Sequence, residues 1–318
     1  MVPPLRIAVL GAWHVHAKDY ARAAVEHPRT ELIALWDDDQ ERGTALAAEL
    51  GIEFTADLDE LLARTDLDAV TVTAATRDHD AVLGAAIAAG KHVFSEKLLS
   101  PTVAGCEKLI GRAEEAGIVL TVSLPRLSYG VTLALREILD AGRLGRITYS
   151  RVRLAHNGSI GDWLPDRFYD AEEALGGAFT DLGAHPVYLT QLILGTEFTS
   201  MTTTFTDMTG RGVEDNASVT VTTADGAIGV IETGFVTPRS PFTLEVHGTE
   251  GSVFHGFGEP HLRLGTEQGW EEVPLPENAP HPFVQWVDAI DAGTRTTENL
   301  ERARDLTGFI VAANASAR

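Results

Sequence analysis

The first 122 residues alternate short apolar runs, rich in β-branched residues, with stretches of helical periodicity, and few architectures accommodate that order. Leu5–Leu10 reads as a buried strand, followed by a helical pattern through Glu26. Glu31–Trp36 is a second strand, and Gln40–Leu50 a helix that ends at Gly51. Ala69–Ala74 is a third strand, followed by an alanine-rich helix that stops at Gly90. Lys91–Ser95, a helix over Thr102–Ala116 ended by Gly117, and the strand Ile118–Val122 complete the series. A strand reached through a helical crossover lies parallel to its predecessor, whereas antiparallel neighbours need only a tight turn. The order therefore predicts a doubly wound parallel sheet.

Beyond Pro125 the pattern changes. A helix over 129–140 precedes segments rich in Thr and Val at 146–156, 196–206, 215–223, 227–236, 242–248 and 261–265. Ala224-Asp225-Gly226 sits between two alternating runs, as a hairpin turn does. A large antiparallel sheet is expected, interrupted by one helix near 180–194 and followed by helices at 282–291 and 299–315. The chain, at 318 residues, is long enough for two domains. The expected division is 1–123, 124–298 and a final helix over 299–318 that packs back near the first domain.

Composition narrows the partners. With 44% hydrophobic and 22% charged residues the chain is of the folded class. A net charge of −21 repels nucleic-acid backbones and anionic lipid, so neither is expected as a partner. The single cysteine, Cys106, can form no intrachain disulfide, and no cysteine cluster exists for zinc. Neither a signal peptide nor a long uncharged apolar span is visible, which makes the cytoplasm the expected compartment.

In a doubly wound sheet, ligands sit outside the carboxyl ends of the strands. After the first strand stands G-A-W-H-V-H, Gly11 to His16. Gly11 fills the first glycine position of the dinucleotide fingerprint, while Trp13 and His16 occupy the second and third. After the second strand comes Asp37, placed to accept from both ribose hydroxyls of NAD and to repel the 2′-phosphate of NADP. Asp38 or Asp39 suits the cap of the next helix. His14 and His16 raise the question of a metal, but no third ligand of obvious spacing accompanies them, and none is expected.

Further along, Ala74-Ala75-Thr76-Arg77-Asp78-His79 follows a strand, and G-K-H-V-F-S-E-K, Gly90 to Lys97, ends at the next strand's carboxyl edge. G-G-A-F-T-D-L-G-A-H, Gly176 to His185, stands in the second domain. Taken in this order, these segments resemble the glucose–fructose oxidoreductase and inositol dehydrogenase family (Gfo/Idh/MocA), in motif form over about residues 5 to 195. The resemblance implies an N-terminal Rossmann domain and a C-terminal α/β domain on a large open, mostly antiparallel sheet, the latter serving substrate binding and oligomerisation. It implies Lys97, Asp181 and His185 as catalytic residues. Gly11, Trp13, His14, Asp37, Ala74, Thr76, His79, Glu96 and Lys97 are expected to border the cofactor. The sequence departs from the family pattern at Trp13 and His16, at Ala75-Thr76 for Pro-Asn, at Leu98 for proline, and at Tyr188 for a second acid.

The chemistry is coherent by itself. Oxidation of an alcohol needs a group to take the hydroxyl proton, and histidine suits this at neutral pH. Asp181 and His185, four apart, share a face of a regular helix, although Pro186 requires that helix to begin late or to kink. An aspartate beside the imidazole would orient it, and Lys97 would favour developing alkoxide charge; either Lys97 or His185 can be the base. Arg126, His156, Asn157 and Trp163 are further candidates for the substrate pocket. The expected activity is NAD-dependent hydride transfer, with NADP less favoured, to or from a sugar, cyclitol or related polyol. The alternatives are a glycosidase using transient oxidation and a non-catalytic sugar or dinucleotide sensor. An open sheet needs its face covered, so a homodimer or homotetramer is expected.

Overall fold

Six parallel strands, β1 (Leu5–Leu10), β2 (Thr30–Trp36), β3 (Glu53–Thr55), β4 (Ala69–Val72), β5 (His92–Ser95) and β6 (Leu120–Val122), lie in the order β3-β2-β1-β4-β5-β6. This is the Rossmann order, in which the chain reverses direction between β1 and β4 and leaves a crevice at their carboxyl ends. The computed structural model describes residues 3–239 and 242–317. The five expected strands are present. The sixth, β3, pairs with Ala34–Trp36 and spans three residues, too few to show a period in sequence. Helices α1 (Ala17–Glu26), α2 (Gln40–Leu50), α3 (Leu58–Leu62), α4 (His79–Ala88) and α5 (Val103–Ala116) make the crossovers. In α1 the buried residues Ala17, Tyr20, Ala21 and Ala24 recur at helical spacing, giving one apolar stripe against the sheet. Thr102 caps α5 by accepting from the Gly105 N–H at 3.0 Å.

The second part of the chain carries α6 (Gly130–Asp140), β7 (Ile147–Ala155), α7 (Ala178–Asp181), α8 (Ala184–Leu194) and seven more strands. These are β8 (Ser200–Thr206), β9 (Asn216–Thr222), β10 (Ile228–Gly234), β11 (Thr243–Gly248), β12 (Gly251–His255), β13 (His261–Thr266) and β14 (Gly269–Pro274). They form one sheet ordered β14-β13-β12-β11-β7-β10-β9-β8, antiparallel throughout except where β7 meets β10. Ala217, Val219 and Val221 alternate inward along β9, and α8 is buried on nearly every side where it packs on this face. The Ala224–Gly226 turn closes the β9–β10 hairpin, with Gly226 at φ +90°. The helix expected near 180–194 is two helices. Gly183 separates them, so Pro186 falls in the first turn of α8, where its missing N–H costs no helical bond.

The chain clusters into two compact units, residues to Ser123 together with Pro280–Thr307, and Leu124–Ala279 together with the chain from Gly308. The expected division places 280–298 with the second domain, whereas this clustering groups Pro280–Thr307 with the first unit. Helix α9 (Pro282–Ala292) presents Phe283, Trp286 and Val287 at helical spacing, and these join the core formed by Phe94, Val119 and α1. Trp286 Nε1–H donates to Val119 O at 3.2 Å. The last helix, α10 (Thr297–Ser316), gives residues to both units. No helix among the described residues is long and apolar enough to cross a membrane.

Candidate functional site

The first βα turn is built by close approach. Gly11 ends β1 at φ +91°, and a Cβ there would lie 2.5 Å from both Cα and N of Ala74, at the carboxyl end of β4. The turn is pinned by the His14 N–H to Thr73 O, 3.0 Å, and by the Thr73 hydroxyl on Gly11 O. Trp13, in the second glycine position, is 3% exposed and serves as core. Asp37 follows β2 with its carboxylate enclosed. It accepts from the Ala12 N–H, the Asp39 N–H at 2.7 Å, and Arg42 at 3.1 and 2.5 Å. Asp39 caps α2 through the Arg42 N–H, 3.0 Å, as expected of that pair. The sheet reversal, the Gly11 turn and the acid after β2 fit a dinucleotide. The backbone approach given by later glycines is replaced by side chains at Trp13 and His16.

At the carboxyl end of β5, Glu96 and Lys97 are both buried, with Lys97 Nζ 3.7 Å from Glu96 Oε1. Glu96 Oε2 accepts from the Tyr20 hydroxyl and lies 3.3 Å from His16 Nδ1. Burial alone would raise the Glu96 pKa; His14, His16 and Lys97 more than offset it and hold the carboxyl well below its usual range. Burial pushes the Tyr20 phenol well up, so it stays a neutral donor. His79 is fully buried. Its Nδ1 lies 2.6 Å from Leu98 O and its Nε2 3.3 Å from Ala74 O. Burial lowers its pKa, and the one N–H of the neutral ring suits the nearer of the two carbonyls, Leu98 O, which anchors the residue after Lys97 beside the buried Ala74 and Thr76. The Lys97–Leu98 peptide is cis.

In the second unit, His185 lies in the first turn of α8 with Nδ1 2.9 Å from the Tyr188 hydroxyl. That hydroxyl accepts from the Arg126 N–H at 3.1 Å. Sequence reasoning noted Tyr188 only as a departure; its position three residues after His185, one helical turn on, was the available signal. Asp181 ends α7, and its charge acts on His156, whose pKa is lowered by burial and partly restored by that carboxylate. His156 stacks on Phe235 at 4.8 Å and lies 4.7 Å from Trp163, whose indole N–H donates to Asn157 at 3.2 Å. The Arg126 guanidinium sits over the rings of Phe242 and Tyr129 at 4.8 and 5.5 Å, and burial lowers its pKa. The structure thus gathers His156, Asn157 and Trp163 into one group and His185, Tyr188 and Arg126 into another.

Residues 5–124 match the family model of oxidoreductases with an NAD-binding Rossmann fold. Residues 132–254 match the GFO/IDH/MocA C-terminal domain. The chain belongs to the Gfo/Idh/MocA oxidoreductase family. Among relatives of this Gfo/Idh/MocA protein is the 1,5-anhydro-D-fructose reductase of Ensifer adhaerens, 30% identical over 78% of this chain and 74% of its own. The scyllo-inositol 2-dehydrogenase (NAD(+)) of Bacillus subtilis strain 168 is 28% identical over 79% of this chain and 74% of its own. The crystal structure of GenD2 from gentamicin A biosynthesis, in complex with NAD, superposes with a TM-score of 0.85 at 29% identity, covering 100% of this chain and 95% of that one. The protein is an NAD(P)-dependent oxidoreductase of this family.

Proposed function

We propose that the protein is a cytoplasmic enzyme that moves a hydride between NAD and a hydroxyl-bearing carbon of a sugar, cyclitol or related polyol. The observation that carries this reading is a lysine amine, Lys97, buried at the carboxyl end of β5 in a Rossmann sheet. Relatives named as a sugar reductase and an inositol dehydrogenase supply the substrate class. When bound, the nicotinamide supplies the hydride acceptor or donor. Lys97 hydrogen-bonds the substrate oxygen and favours its anionic form. His185 exchanges the hydroxyl proton through Nε2, because the Tyr188 hydroxyl engages Nδ1 and fixes the ring. Asp181 supports the cationic imidazole electrostatically. Trp163, His156 and Asn157 offer an aromatic wall with polar edges, suited to a sugar face.

The preference for NAD rests on Asp37, Asp38 and Asp39, which surround a single Arg42 at the end of β2. Four donors already occupy the Asp37 carboxylate, so a ribose gains its oxygens only as Arg42 yields. The test is turnover on a sugar and cyclitol panel with NAD and NADP, followed by nicotinamide absorbance. We expect net turnover of at least one panel member, with NADH bound at least ~10-fold tighter than NADPH, about 1.4 kcal/mol. Absence of turnover across the panel would count against the enzymatic reading, and equal affinities against the preference.

The second unit is proposed to assemble through its open sheet into a homodimer or homotetramer. Supporting this, Phe257 and Trp270 are 83% and 66% exposed and border a groove of about 770 Å³ with Phe254 and Arg263. Light scattering should give a mass at least twice the 34.1 kDa of one chain. A monomer contradicts the assembly.

A further inference from the structure

Among the described residues, one group of three metal-ligating side chains stands close enough to share an ion. His14, His16 and Glu96 each offer a ligand atom within 4.8 Å of the other two. The first two come from the turn after β1, and the third lies 80 residues on, at the end of β5. We propose that these residues form a binding site for a divalent transition-metal ion of the zinc and cobalt class.

The geometry is near that of a tetrahedral site. Bonds of ~2.0–2.1 Å at tetrahedral angles put neighbouring ligand atoms about 3.3 Å apart. His16 Nδ1 and Glu96 Oε2 are 3.3 Å apart already. The imidazole rings of His14 and His16 are 4.6 Å apart between centroids, so a small movement closes the third corner. The His16 side chain is 38% exposed, which supplies both freedom to move and a route for the ion. Two imidazoles and a carboxylate select transition ions over magnesium or calcium. Three protein ligands leave a fourth position open.

The supporting shell is also present. Tyr20 donates to Glu96 Oε2 and orients the carboxylate, as outer hydrogen bonds do in metal sites. Lys97 pairs with the other oxygen, Oε1, so the two cations use different atoms. An ion between them replaces the direct 3.3 Å contact of His16 Nδ1 with Glu96 Oε2.

Cobalt(II) titrated into the chelator-stripped, full-length protein tests this through its visible d–d absorption, with neither cofactor nor sugar present. The four-coordinate spectrum should saturate near about one equivalent per chain, and zinc should bleach it. His16→Ala, at a part-exposed position, should weaken binding at least ~10-fold with unchanged circular dichroism, and Glu96→Gln should do the same. A spectrum identical to aqueous cobalt overturns the site. So does undiminished binding by His16→Ala. Neither result bears on hydride transfer, which the turnover panel measures separately.

Discussion

Replacing Lys97 by methionine is expected to lower kcat at least ~100-fold while NADH binding changes by no more than about threefold. Methionine keeps the length of the stem and removes the ammonium. Lys97 is 4% exposed, and its Nζ stands beside Glu96, a carboxylate held ionised in the interior. Loss of the amine leaves Glu96 with Tyr20, His16 and His14 around it, so the carboxylate does not become an unpaired buried charge. The fold at the end of β5 should therefore persist, and the Leu98 carbonyl remains held by His79. What disappears is the positive group that meets charge growing on the substrate oxygen, and that charge is greatest in the transition state. An interaction of that kind shows in kcat more than in KM. A variant that turns over at a near-normal rate would remove Lys97 from the chemistry.

The same residues show how far the sequence could be read. Buried parallel strands are continuous apolar runs, so order and spacing alone announce the Rossmann sheet. The strand β14, Gly269–Pro274, escapes because it leaves five of its six residues exposed and carries Glu271 and Glu272, which erases any alternation. The strand β12 is short and begins at a glycine. The placement of α9 with the first unit depends on where Phe94 and Val119 lie, which no local pattern reports. Motif order exposed Lys97, Asp181 and His185. It did not expose the Tyr188 hydroxyl on the His185 ring, nor the enclosure of Asp37 by Arg42. Above all it could not join His14 and His16 to Glu96, because parallel pairing brings together strand ends far apart in the chain.

Gly11→Ala is expected to destabilise the first unit by about 2–5 kcal/mol. Two costs add. At φ +91° a residue with a Cβ is disfavoured by roughly 1–2 kcal/mol relative to glycine. The new methyl would also lie 2.5 Å from Ala74 Cα and N, which are backbone atoms at the end of β4. Neither side can retreat cheaply. Gly11 N–H is bonded to Trp36 O and Thr73 N–H to Leu10 O, so the turn is tied to the strand ends on both sides. Overpacking against such a surface costs about 1–3 kcal/mol more. With total stability of ordinary domains near 5–15 kcal/mol, the unfolding midpoint of this unit should fall by roughly 4–20 °C, at about 2–4 °C per kcal/mol. Calorimetry on the purified variant measures it. A midpoint within about 2 °C of the wild type would mean that β1 and β4 can part at their carboxyl ends, and the tight crevice on which cofactor placement depends would have to be abandoned.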